Sequence, residues 1–155
     1  MKGFELERYL GTWYEIARLD HRFERGLTNV MANYSLREEG GISVVNRGYD
    51  PEAEGWQDAQ GKAYFLDDET VGLLKVSFFG PFYGGYNIIA LDFEDYAWSM
   101  VAGPERSYLW VLARSPELPD PTLERLIAEA EALDLPVEDL ILVSHESATP
   151  LDGED

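Results

Sequence analysis

Cysteine is absent from the 155 residues. Disulfides, thiolate nucleophiles and zinc–thiolate sites are thereby excluded, and nothing follows about compartment, since a domain of this length needs no staple. Histidine is scarce. His21 and His145 lie at opposite ends of the chain, too few and too far apart to point to a metal cluster or an axial haem ligand. Basic residues are few as well: 12 Lys and Arg stand against 30 Asp and Glu, for a formal net charge of −18. That balance speaks against nucleic acid, which needs a concentrated Lys/Arg surface, and against electrostatic docking on an anionic bilayer. Long apolar runs are missing. The longest uncharged stretch, Val76 to Leu91, is interrupted by Gly80, Pro81, Gly84 and Gly85, too short and broken to span a membrane as a helix. Met1-Lys2-Gly3-Phe4 leads straight into sequence of folded texture, so no signal peptide is expected and the chain as given reads as soluble. No serine-centred nucleophile elbow occurs.

What is present is a β-rich pattern. Hydrophobic residues make up 45% and aromatics 13%, enough for one domain with a real core or a lined cavity. Short β-rich runs recur about every ten residues, expected as strands near 13–20, 28–36, 42–49, 57–66, 72–79, 86–93, 96–102 and 107–114. Turn chemistry separates them at Glu39-Gly40-Gly41, Asp50-Pro51, Asp67-Asp68-Glu69, Gly80-Pro81, Glu94-Asp95 and Gly103-Pro104. No helix intervenes, so parallel βαβ units are excluded. The texture then changes: Asp120 is expected to cap a helix beginning at Pro121, with Leu123, Leu126, Ile127, Ala130 and Leu133 forming one apolar stripe and Pro136 ending the run. Such a stripe packs on the outside of the sheet. Leu140 to Ser144 is a short ninth strand. Residues 1–146 are expected to form the domain, and 147–155 an acidic, disordered tail.

Eight sequential antiparallel strands can close into an up-and-down barrel, which abolishes edges and leaves room for one small ligand. A sandwich is the alternative. Gly11-Thr12-Trp13-Tyr14 and Tyr108 to Arg114 suggest first and last strands meeting at one shut end. There Trp13 plugs the floor and Arg114 lies across its face, a cation–π pair worth about 0.5–2 kcal/mol. Because strand side chains alternate, Val30, Ala32, Tyr34 and Leu36 form one set, Leu74, Val76 and Phe78 another, and Tyr108, Trp110, Leu112 and Arg114 a third. In the third strand parity does not choose between Asn46 and its neighbours. Glu15 falls on the Trp13 face, where a carboxylate needs a partner or a raised pKa. Small residues on strand faces, Ala32, Ala63, Ala90 and Gly48, favour a cavity over a core packed solid with aromatics.

Gly11-x-Trp13, the Asp92-Phe93-Glu94-Asp95-Tyr96 turn and Arg114 match the three sequence blocks of the lipocalin family. Tyr9 to Arg18, Asp20 to Leu27, Leu74 to Asn87 and Tyr108-Leu109-Trp110 resemble its branch of bacterial outer-membrane lipoproteins, apolipoprotein D and plant temperature-induced lipocalins. The similarity spans residues 4–146. It implies an eight-stranded barrel with a C-terminal helix, no enzymatic activity, no cofactor, and a hydrophobic ligand in the cup, a fatty acid or lysophospholipid. It implies Tyr34, Asn46, Phe78 and Trp110 as ligand contacts, with Asn46 inside; face parity adds Ala32, Leu74, Val76 and Tyr108. A basic contact of that branch falls on Asp50 here. The lipidated cysteine of the bacterial members is missing, so the resemblance places the protein on the periplasmic side of the outer membrane while a cytoplasmic location stays open. Such barrels also serve as engineered scaffolds.

The loop 20–27 is expected at the open rim, with Arg22 and Arg25 beside His21 to hold a phosphate or carboxylate, or simply to pair with Asp20 and Glu24. The loop Gly80–Gly85 shares that rim. Its aromatic flanks suggest contact with a membrane surface or a second copy in a homodimer. The competing classes are an enzyme and a pigment or haem carrier.

Overall fold

A computed structural model describes residues 4–19, 27–38, 40–65, 73–79, 82–103, 108–143 and 145, with the side chains of 77–79 and 82–85 outside the description. The chain enters through a one-turn helix, α1 (Leu6–Tyr9), that no periodicity announced because four residues are too few to show one. Eight strands follow: β1 (Gly11–Leu19), β2 (Thr28–Leu36), β3 (Ile42–Asp50), β4 (Gly55–Phe65), β5 (Leu73–Phe79), β6 (Phe82–Leu91), β7 (Trp98–Ala102) and β8 (Leu109–Ala113). Each pairs antiparallel with the next. β1 pairs with both β8 and β2, so the sheet closes into a barrel and the sandwich alternative falls. α2 (Asp120–Ala132), a 3-10 turn (Val137–Asp139) and β9 (Leu140–Leu142) complete the fold.

Local chemistry sets the turns. Between β2 and β3, Gly40 and Gly41 take φ of +101° and +83°, and a Cβ on Gly41 would stand 2.5 Å from the Tyr64 ring, so glycine is required there. Asp50 accepts the backbone N–H groups of Glu52 and Ala53 and the Gln57 side-chain amide, closing the β3–β4 turn. The aspartate standing at the expected basic position is thus a turn residue. Asp92 accepts the N–H groups of Glu94, Asp95 and Ala97. Tyr96 has φ +51°, which delays β7 from the expected 96 to Trp98.

Some expectations need correction. β6 begins at Phe82, not 86: Gly84 and Gly85 pair with Val76 and Lys75, extending the β5–β6 hairpin through what read as a glycine loop. Asp120 is the first helical residue, and Pro119 occupies the cap position without a side-chain bond. In the α2 stripe Leu126 and Ala130 are fully buried, but Leu133 is 54% exposed. The helix ends just before it, Asp134 turns at φ +62°, and the Leu135 N–H returns to the Ala130 carbonyl, so Leu135 takes the buried place. Leu36 is 61% exposed, because β2 runs past the closed end. Ala90 packs in the outer cluster with α2, since a register shift between Ile88 and Ala90 reverses its face. Residues 146–155, and with them the domain boundary and acidic tail, lie outside the described residues.

Two apolar layers result. One fills the barrel's closed half; the other lies between the barrel wall (Met100, Leu109, Val111) and α2 (Leu126, Ala130). Burying a leucine as fully as Leu126 contributes about 1.5–3 kcal/mol. That fixes the helix outside and leaves the lumen to the strands.

Candidate functional site

The floor is built as the Gly-x-Trp and terminal Arg signals imply. The Arg114 guanidinium carbon sits 3.9 Å from the centre of the Trp13 ring. Its Nη1 donates to the Thr12 carbonyl at 3.0 Å, Nη2 to the Arg8 carbonyl at 2.6 Å and Nε to the Tyr96 carbonyl at 3.3 Å. Gly11 must be glycine: φ is +105°, and a Cβ there would stand 3.3 Å from Arg114 Nη1. Inside, the wholly buried Trp13 donates its Nε1–H to the Tyr9 carbonyl at 2.8 Å, and the Tyr9 ring packs between Trp13 and Phe4.

Above the floor runs a chain of hydroxyls that sequence reasoning missed. Tyr34 Oη meets Tyr86 Oη at 2.8 Å, Tyr86 Oη meets Tyr9 Oη at 2.8 Å, and Tyr9 Oη meets Ser99 Oγ at 2.9 Å. Burial raises the Tyr9 phenol to about 12, with the bonds to Ser99 and Tyr86 working against it. Burial, and then the neighbouring phenols, hold Tyr86 well above its ordinary value. At neutral pH these are uncharged groups that mutually satisfy each other's bonding capacity. On their floor side lies a cavity of about 20 Å³, bounded by Phe4, Leu6, Ile42, Ala63 and Leu74 with the phenols. That is room for roughly one water molecule. The closed half of the lumen is filled with side chains.

The wall rises from there. Ala32, Val44 and Leu74 are buried, and Val76 and Trp110 are half-buried against the same cluster. Asn46 stands in register with Ala32 on one side and Ala59 on the other, which puts it on the lumen face and resolves the parity left open above. Tyr108 stacks on Trp110, ring centres 5.8 Å apart. Gly48 leaves no void, since a Cβ there would meet Leu27 and Val30 at 3.0 and 3.2 Å. On β4, Ala63 is buried while Gln57 and Ala59, on the same face nearer the mouth, are exposed. Along this face of β4 the lumen side therefore passes from buried near the floor to exposed away from it.

This geometry agrees with the relatives. Residues 4–145 match the lipocalin-like domain family. This chain belongs to the lipocalin family. It is 55% identical to the outer membrane lipoprotein Blc of Citrobacter freundii over 96% of this chain and 83% of that one. It is 33% identical to apolipoprotein D of Rattus norvegicus over 81% and 68%. Insecticyanin from Manduca sexta, 18% identical over 95% and 84% of the two chains, superposes with a TM-score of 0.75.

As in any barrel, this lipocalin's β1 sets what the upper lumen presents. A register shift between Glu15 and Ala17 brings Glu15 beside Leu112 and Arg18 beside Trp110, both on the lumen face. Arg18 Nη1 and Glu15 Oε1 lie 3.1 Å apart, both buried, and Arg18 Nη2 donates to the Leu27 carbonyl at 3.2 Å. Glu15 has the partner its position demanded; Arg18 went unnoticed because without the bulge it would face outward. Of the expected site residues, Ala32, Tyr34, Asn46, Leu74, Val76, Tyr108 and Trp110 line one lumen, with Tyr34 in its hydroxyl chain. The Phe78 side chain, Arg22, Arg25 and His21 lie outside the described residues, as do Gly80 and Pro81.

Proposed function

We propose that the protein binds a small hydrophobic ligand in the lumen above the Tyr34–Tyr86 level, and that it carries or stores a fatty acid or lysophospholipid there rather than transforming it. The observation that supports this most directly is the change along one face of β4, from buried Ala63 to exposed Ala59 and Gln57. A cup with an apolar wall of Ala32, Val76 and Trp110 suits an acyl chain, and the polar fringe of Asn46 suits a head group nearer the mouth; Phe78 is a ligand contact in this reading by resemblance alone. Arg22 and Arg25 are the head-group residues in this reading. The lumen carboxylate, Glu15, is engaged by Arg18, which suits a structural role over that of a general base.

Burying ten methylenes contributes roughly 8 kcal/mol gross. Association costs remove a substantial part, leaving affinity of about micromolar order. The relatives named as outer membrane lipoproteins support a place on the periplasmic face of the outer membrane. There the segment Gly80–Gly85, by its apolar and aromatic composition, would meet a membrane surface or a second copy. Titration with a fluorescent fatty acid tests the reading: saturation at one per barrel without turnover is expected. Non-saturable binding, or consumption of the probe, would overturn it.

A further inference from the structure

β2 and β6 lie four strands apart in an eight-stranded ring, so Tyr34 and Tyr86 reach toward each other across the full width of the barrel. Their hydroxyls meet at 2.8 Å, their rings stand nearly perpendicular, and Tyr9 and Ser99 extend the bond from the floor and from β7. We infer that this phenol crossbar is a depth stop: it sets how far an acyl chain descends and thereby selects ligands by length. The inference rests on the lumen's being an acyl-binding site.

Three features carry it. The bond spans opposite walls, so it obstructs the axis itself rather than narrowing one side. The phenols' hydroxyls are bonded to one another and to Ser99, so a terminal methyl arriving from above meets groups already satisfied and gains nothing by displacing them. Beyond the bar, Phe4, Leu6, Ile42, Ala63 and Leu74 line a cavity of about 20 Å³, which does not hold more of a chain unless the rings move. From Thr28 to Tyr34 is six residue steps of β2, roughly 20 Å of strand and about 15 Å of depth at an ordinary barrel tilt. That depth is the length of chain the cup accepts.

Displacement of a fluorescent fatty-acid probe by saturated fatty acids of increasing length tests the stop. In the unmodified protein, affinity should rise by up to about fourfold per methylene and then level off at one limiting length. Tyr86→Phe and Tyr34→Phe keep both rings but sever the bond, so the rings can swing; the plateau should move to longer chains by one or more methylenes. Adding Ala63→Val to Tyr86→Phe refills the space beneath and should return the plateau to its original length. Thermal melts followed by circular dichroism confirm that the variants are folded. A plateau unmoved in both folded Phe variants would overturn the depth stop and leave acyl binding intact. Absence of probe binding by the unmodified protein would overturn both.

Discussion

Glu15 and Arg18 face the same side of β1 although they are three residues apart, because the strand slips register between them. An uninterrupted strand would send them to opposite faces. The slip makes the Glu15 carboxylate half of a buried ion pair 3.1 Å long.

Removing one member of that pair leaves the other's charge buried without its partner, which costs about 3–5 kcal/mol. Arg18→Met should therefore lower the melting temperature by about 6–20 °C, at about 2–4 °C per kcal/mol for a domain of this size. Glu15→Leu combined with Arg18→Met should recover most of that loss, since two apolar groups leave no stranded charge. Calorimetry of the single and double variants reads the difference directly. A double variant as unstable as the single one would mean that Arg18 acts chiefly through its bond to the Leu27 carbonyl.

Arg114 closes the floor from outside. It combines the ring contact with Trp13 and donation to three backbone carbonyls from two separate stretches of chain. Arg114→Gln removes the cation–π contribution of about 0.5–2 kcal/mol and leaves two or more carbonyls unpaired, for a loss of about 2–4 kcal/mol. Gly11→Ala should cost about 1–3 kcal/mol through backbone strain alone, because φ +105° is foreign to alanine. Urea unfolding of both variants checks the two figures. If Arg114→Gln unfolds at the unmodified midpoint, the pair is ornamental.

Much of this floor was legible in the sequence because its parts are chemically singular: a glycine before a tryptophan, and an arginine ending the last strand. The strands were legible because Gly40-Gly41 and Asp50-Pro51 carry their turns locally. The Tyr9–Tyr86–Ser99 bonds were not, for they join residues 77 and 90 positions apart, and each residue by itself reads as core or strand. β6 was cut short for the opposite reason: Gly84-Gly85 has the composition of a turn, yet tertiary pairing with β5 holds it extended. The lumen-facing residues were legible only through parity, and parity fails wherever a bulge occurs, as at Arg18 and Ala90.

His145 ties the segment after β9 to the barrel. Its Nε2–H donates to the Glu15 carbonyl at 2.7 Å, and its ring stands edge-on to Tyr14 at 5.7 Å. Burial lowers its pKa below the ordinary 6.5, partly offset by the carbonyl bond. A depressed histidine favours the neutral form in the fold, so its contribution is complete above about pH 6.5 and declines as pH falls through the lowered value. The melting-temperature advantage of the unmodified protein over His145→Asn should shrink between pH 7.5 and 5.5. An advantage that grows on acidification would show that the charged imidazole is the preferred form.

In the proposed reading Arg22 and Arg25 hold the head group. The chain carries only 12 basic side chains against 30 acidic ones, so a phosphate approaching the mouth meets a repulsive field unless cations are held there. β1 runs from the Trp13 floor up to Leu19 and β2 runs down to it from Thr28, so both strand ends lie away from the floor. Replacing both arginines by glutamine should weaken lysophospholipid binding about five- to tenfold, the equivalent of one solvent-weakened charged hydrogen bond of about 1–1.4 kcal/mol. The same change should leave a fatty alcohol of equal chain length bound as before, because that ligand offers no anion. Should lysophospholipid affinity stay within twofold, Arg22 and Arg25 serve only their acidic neighbours, and the head group is held elsewhere on the rim.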